Sequence, residues 1–219
     1  MIERAVCAQL NNYVGENDLH ELLQSDYKIF NNTEAALFTV TNDIMLSLDK
    51  GESVFLILLD LSSALGTVNH SLLLPRLQNS FGITGTVLQW FNSYLSNGTQ
   101  FVMINKANST VRDLLVGFPQ GSVLGPVLYL LYTAPLAEVI RSYDLDYHLY
   151  ADDTQLYFSF ISVDNDAAKS RVEDCISAIC HWMNLNELKL NHNKTEVILI
   201  HSKYRPHPSF QSCVLVMRT

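Results

Sequence analysis

Positive charge is scarce in this chain. Its 219 residues include 14 Lys and Arg against 22 Asp and Glu, a formal net charge of −8 with histidine neutral. That balance argues against a strong nucleic-acid binder, which usually shows a basic excess. Cysteine is sparse too: Cys7, Cys175, Cys180 and Cys213 show neither a C-x-x-C pair nor a zinc-ligand spacing with histidine. They read as free thiols in a reducing compartment, with no structural zinc. The seven histidines show no ligand spacing either. The start, MIERAVCAQLNNYV, lacks the long apolar core and small-residue cleavage site of a signal peptide. The most apolar run, Val123 to Ile140, is interrupted by Pro126, Pro135 and Glu138. It is expected to form a buried core helix rather than a membrane span. No repeat, low-complexity block or linker divides the chain.

What is present is an ordinary globular balance, 48% hydrophobic and 16% charged. A chain of this length can bury a real core as one large domain or two small ones. Leu37, Val40, Ile44 and Leu48 recur at helical spacing in a segment that Asn32 or Thr33 can cap and Gly51 can end. VFLILLD, Val54 to Asp60, is a continuous apolar run of strand length, expected to be covered on both faces, and it ends in an acid. SLLLPRLQNSFG, with Pro75 inside it, and TGTVLQWFNSYLSNG read as helices. QFVMI and VRDLLVGF suggest two strands joined by NKANST. NDAAKSRVEDCISAICHWMN is a further helix with Val172, Cys175, Ile176, Ile179 and Met183 on one side, and TEVILI is a last strand. The order predicts an α+β fold, a small and mostly antiparallel sheet backed by helices. The tail from Tyr204 reads as irregular.

YHLYADDTQLYFSF, Tyr147 to Phe160, places two aspartates side by side between strand-forming runs. As a turn, the pair is unremarkable chemistry, because Asp bonds its own backbone in tight turns. Asp60 changes the weighing. A lone carboxylate at the end of a buried strand is costly. If that strand lies beside the hairpin, Asp60, Asp152 and Asp153 converge, and each raises the others' pKa unless a cation sits among them. Oxygen-only ligands favour Mg²⁺ or Mn²⁺, and such a trio suits two-metal phosphoryl or nucleotidyl transfer.

LLDLSSALGTVNHSLLLPRL, GFPQGSVLGPVLYLLY, YADDTQLYF and LNHNKTEVILI occur in one order along the chain. Together they resemble the reverse transcriptase domain of non-LTR (LINE-type) retrotransposons, over nearly the whole length to about residue 200. The resemblance implies a right-hand polymerase palm with partial fingers and no thumb. Segments 1–50 and 71–112 would lie on the fingers side, 51–70 and 113–201 in the palm, and 202–219 in an irregular tail. It implies RNA-templated DNA synthesis with two Mg²⁺ ions, Mn²⁺ as a possible substitute, an RNA template, a DNA primer and deoxynucleoside triphosphates. Asp60, Asp152 and Asp153 would be the catalytic carboxylates and metal ligands, joined by the Leu61 carbonyl. Gln120 would line the nucleotide site, Gly121 would let backbone come close, and Ala151 would face the primer end. Lys194 matches a palm lysine associated with the pyrophosphate leaving group; a solvated turn lysine is the competing reading. Lys28 stands where the family has arginine and would hold a phosphate without the bidentate fork. Trp90 and Phe118 read as core packing rather than base stacking. An intracellular place, nucleus or cytoplasm, follows from the family's habits.

The chain departs from the family pattern in places. Leu65 replaces an aromatic beside the nucleotide sugar, which predicts weaker rejection of ribonucleotides. Gly66 and Asn69 replace aspartates, Asp26 replaces a glycine, and Gly98 replaces an arginine that would contact phosphate. The pattern suggests a truncated, partly degenerate copy from a longer parent with thumb or endonuclease segments. Two rival readings stay open: an inactive domain that binds RNA weakly, and a palm that makes RNA on an RNA template.

Overall fold

The computed structural model of the chain describes residues 1–24, 33–62, 64–96, 98–105, 107–119, 121–161, 165–191 and 193–202. The expected cap at Asn32, Cys213 and the tail from Tyr204 lie outside the described residues. In chain order come α1 (Ile2–Glu16), α2 (Thr33–Asp49), β1 (Ser53–Leu59) and β2 (Leu61–Ser62). A 3-10 turn (Ala64–Gly66), α3 (His70–Asn79) and α4 (Gly85–Leu95) follow. Then come β3 (Thr99–Gln100), β4 (Met103–Ile104), β5 (Ala107–Asn108), β6 (Arg112–Asp113), α5 (Gly125–Thr133) and α6 (Leu136–Arg141). The last elements are β7 (Asp146–Tyr150), β8 (Asp153–Phe160), α7 (Asn165–Leu185), β9 (Lys189–Leu190) and β10 (Glu196–Ile200). They form two compact units: Met1–His20 with Ser63–Thr133, and Glu21–Ser62 with the chain from Ala134 onward.

The first unit is mainly helical. Its α1 was not legible as a helix in advance; it buries Leu10 and Val14, and the Tyr13 hydroxyl donates to the Phe81 carbonyl at 2.9 Å. The Asn69 side chain caps α3 by accepting from the Ser71 N–H at 2.8 Å. Pro75 sits inside that helix, with Leu73 and Leu77 buried on either side of it in sequence. The expected long strands around NKANST shrink to two-residue pairs, Thr99↔Asp113 and Met103↔Asn108 among them. Phe101, Val102, Met103 and Ile104 are all more than half exposed. A two-stranded ribbon without a covered face is only marginally stable, which limits its pairing. The expected single helix from Val123 to Ile140 is two helices, α5 and α6. Pro135 lacks the N–H needed to carry the first through, and caps the second instead.

The second unit is a four-stranded antiparallel sheet in the order β10-β1-β8-β7. Phe55, Ile57 and Leu59 of β1 are buried, and Phe55 stacks on Phe160 with ring centroids 4.9 Å apart. Leu56 and Leu58 are only half-buried, so β1 is less evenly covered than its apolar run suggests. From α2, Val40 and Ile44 join Val54 and Tyr157 in a cluster, with Leu48, Leu56 and Ile200 against it. Leu37, expected on the same face, is exposed; it lies one turn before the first helix residue that packs on the sheet. The helix α7 buries Val172, Cys175, Ile176, Ile179 and Met183, the face that the spacing predicts. Burial pushes the Cys175 thiol up to about 12, which makes it inert. The pairing of β2 with β9, Leu61↔Leu190, was not foreseen.

Candidate active site

The hairpin places its two acids differently. Tyr150 pairs with Asp153, which leaves Ala151 and Asp152 as a two-residue loop. Such loops need a positive φ among their central residues. Here Ala151 supplies it, at φ +51°. Asp152 therefore sits in the turn, and Asp153 opens β8. On the neighbouring strand Leu59 pairs with Thr154, so Asp60, the next residue, lies at the same end of the sheet as Asp153. The Asp153 carboxyl is raised above its ordinary value, first by burial and then by the charges of Asp152 and Asp60, with Lys194 opposing. The trio of acids thus converges electrostatically on the end of the two inner strands.

Asp60 is held by one short loop. Its Oδ2 accepts from the Asn191 amide at 2.9 Å, and its Oδ1 lies 3.4 Å from the Lys194 ammonium. Its carbonyl accepts from the Asn191 N–H at 2.9 Å. The loop is tied in turn by Lys194 N–H and Thr195 hydroxyl bonds to the Asn191 carbonyl, both at 3.0 Å. Asn191 was not singled out from the sequence, where only its place two residues before the NKTE stretch marks it. Because Asp60 and Asn191 exchange a backbone bond, the next pair, Leu61 and Leu190, directs its backbone groups away from each other. The Leu61 carbonyl is thereby turned from β9.

Lys194 is two-thirds exposed and pairs with Asp60. Among the described residues, no three His, Cys, Asp or Glu side chains stand close enough together to hold one metal ion. The donor set fits a hard cation by its chemistry: oxygen ligands only, mutually repelling, one of them already with a raised pKa.

The first unit carries Leu65 and Gly121. Leu65 is 40% exposed on the 3-10 turn, and its carbonyl accepts from the Phe118 N–H at 3.2 Å. The Gly117 N–H donates to the Val68 carbonyl at 2.8 Å, and the His70 ring meets the Gly117 carbonyl at 2.7 Å. Gly117 is required there: at φ +74°, a Cβ would lie 2.6 Å from the Gly66 carbonyl oxygen. Phe118 packs over Gly125 and beside His70, partly buried as expected of a packing residue. Trp90 is also only partly buried; it stacks on Tyr94 at 5.4 Å. The Ser122 N–H closes a turn onto the Pro119 carbonyl at 2.9 Å, with Gly121 at φ +84°. Lys28, Asp26 and Gln120 lie outside the described residues.

An antiparallel sheet with helices on it, and with acids at the end of its inner strands, is the α+β palm of a nucleotide polymerase. The chain belongs to the reverse transcriptase (RNA-dependent DNA polymerase) family, whose model matches residues 2–211. Its relatives in Drosophila melanogaster bear out the LINE-type resemblance. The probable RNA-directed DNA polymerase from transposon BS is 27% identical over 198 residues, 88% of this chain and 21% of that protein. The RNA-directed DNA polymerase from mobile element jockey is 27% identical over 177 residues, 78% of this chain and 19% of that protein. The chain therefore spans about a fifth of the length of the curated relatives it matches. In fold it is similar to telomerase from Candida tropicalis in complex with a TWJ fragment of telomeric RNA. That match has a TM-score of 0.67 at 14% identity and covers 90% of this chain and 33% of that one. Among the described residues, no helix is long and apolar enough to cross a membrane.

Proposed function

We propose that this chain catalyses RNA-templated DNA synthesis, adding deoxynucleotides to the 3′ end of a DNA primer on an RNA template. The observation that carries the reading is the approach of Asp60 to the Asp152–Asp153 turn, with the Asp153 carboxyl raised by its acidic neighbours. Family membership supports the reaction class and a divalent-metal requirement. Asp60, Asp152 and Asp153, with the Leu61 carbonyl, would hold two Mg²⁺ ions, for which Mn²⁺ could substitute. When bound, those ions supply activation of the primer hydroxyl and neutralise charge at the triphosphate. Asn191 keeps the Asp60 carboxylate oriented. Lys194 balances Asp60 and would offer a proton-bearing ammonium toward the pyrophosphate leaving group. Lys28 and Gln120 would position the nucleotide, Gly121 would admit it close to backbone, Leu65 would border its sugar and Ala151 would face the primer end.

A second reading, a domain that binds RNA weakly without catalysis, draws on the net charge of −8. Primer extension on an RNA template separates the two, with Mg²⁺ and then Mn²⁺, for the chain and for Asp152→Asn. Deoxynucleotide addition that vanishes in the variant is the expected result. No product from the folded wild-type chain under either ion would hand the reading to the non-catalytic alternative.

A further inference from the structure

In the first unit, Ser122 and Val123, directly after Gly121, are gripped by α1. Glu3 Oε2 accepts from the Val123 N–H at 2.7 Å and from the Ser122 hydroxyl at 3.4 Å. Its Oε1 accepts from the Tyr94 hydroxyl at 3.0 Å. The Tyr94 and Ser122 hydroxyls lie 2.8 Å apart, and the Ser122 oxygen accepts from the Gly125 N–H at 2.9 Å. One turn along the same helix, the Cys7 thiol donates to the Val123 carbonyl at 3.7 Å. Both backbone groups of Val123 are thus bound to α1.

A carboxylate is the group suited to this place. The first N–H groups of α5 have no partner within the helix, and the helix dipole favours negative charge at its start. Glu3 supplies that charge from a different helix. The Glu3 carboxyl lies below its ordinary value: burial raises it, but the Val123 N–H and the Tyr94 and Ser122 hydroxyls lower it further. The clamped residues directly follow Gly121, whose Cβ position faces open space at φ +84°. Clamping the end of such a turn limits the backbone freedom that a ligand would otherwise have to freeze.

We propose that Glu3 is a positioning residue for the incoming nucleotide, acting through Tyr94, Ser122 and Val123 on the backbone that directly follows Gly121. The inference rests on the polymerase reading above. Holding the turn in its binding geometry lowers the nucleotide KM; it leaves the primer-template grip and the carboxylates untouched.

The test compares wild type with Glu3→Gln, Tyr94→Phe and the exposed control Arg4→Gln. Three quantities are read: the KM for dTTP at saturating primer-template, the affinity for primer-template, and hydrogen exchange at the Val123 and Gly125 amides. Charge-assisted bonds are about twice as strong as neutral ones, so Glu3→Gln should raise the dTTP KM by roughly 5- to 20-fold. Tyr94→Phe should raise it by a smaller factor and Arg4→Gln by none. Exchange at Val123 should quicken while primer-template affinity holds. A KM unchanged in both clamp variants would overturn the inference alone. So would a KM that drifts in proportion to primer-template affinity, as a loss of overall structure would produce. A folded wild type that extends no primer would overturn the polymerase reading and this inference with it.

Discussion

Asp60 directly follows the buried strand β1, and its side chain is 20% exposed. A carboxylate so placed needs donors, and Asn191 and Lys194 provide them from a loop far along the chain. Asn191→Leu removes the better-aligned donor and leaves Oδ2 half-buried without it. Catalysis should fall about tenfold or more, with the thermal midpoint little changed, because an acid that must be oriented loses its orienting bond. Primer extension rates and a melting curve on one preparation decide this. Gly117→Ala should act on the fold instead. The added methyl meets the Gly66 carbonyl oxygen at 2.6 Å from a backbone at φ +74°, so we expect a loss of about 2–4 kcal/mol in urea unfolding. Leu65 tests the sugar side: Leu65→Phe should raise the preference for deoxynucleotides over ribonucleotides, and equal selectivity in the two proteins would remove that role. The acids, Leu65 and Lys194 are marked out by local motifs. Asn191 was not, because an amide in a turn carries no signal until its partner is known.

At the scale of elements, regular periodicity was the dependable guide. The buried face of α7 follows it, since that pattern is set by neighbours a few residues away. Failures came where tertiary packing outweighs pattern. The apolar run broke at Pro135, and the ribbon around Asn105 paired only in short pieces for want of cover. A segment of α1 that carries no sharp signal became a helix that holds the start of α5. That contact predicts a pH dependence. The Glu3 carboxyl is lowered in the folded state, so its contribution is present above the unfolded value and lost as pH falls through the folded one. Glu3→Gln should be destabilised at neutral pH, and its denaturation midpoint should converge on wild type only in acid, once pH has fallen below the lowered folded value of Glu3. A gap of constant size from neutral to acid pH would exclude the charged clamp. A second tie works on the open edge of the sheet. Glu21 accepts from the Tyr147 hydroxyl at 2.7 Å and pairs with Arg141 at 3.1 Å. The Leu149 N–H then bonds the Leu23 carbonyl at 2.9 Å, which covers part of the β7 edge just before the segment that carries Lys28.

For the whole molecule, charge sets the expectation. There are 14 Lys and Arg in all. Several are already engaged, Arg141 with Glu21, Arg171 with Asp144, Lys169 with Glu173 and Lys194 with Asp60. The others are outnumbered by 22 Asp and Glu, which oppose phosphate binding, and each phosphate contact adds about one unit to the salt slope. RNA binding should therefore show a shallow dependence on salt, with a log–log slope of magnitude below about 3. Titrations between low and physiological salt measure it, and a slope near 6 or more would point to a basic surface that the composition conceals.

The sequence by itself determined the class of fold, the identity of the acids and the order in which they come, because those depend on local periodicity and on residue types that few other motifs combine. Tertiary structure alone decided which of them have company. It set Asn191 and Lys194 on Asp60, the Leu65 carbonyl on Phe118, and Glu3 on the turn after Gly121. A hydrogen bond between groups more than fifty residues apart leaves no periodic trace in a chain. It exists only once burial has removed the water that would otherwise take its place.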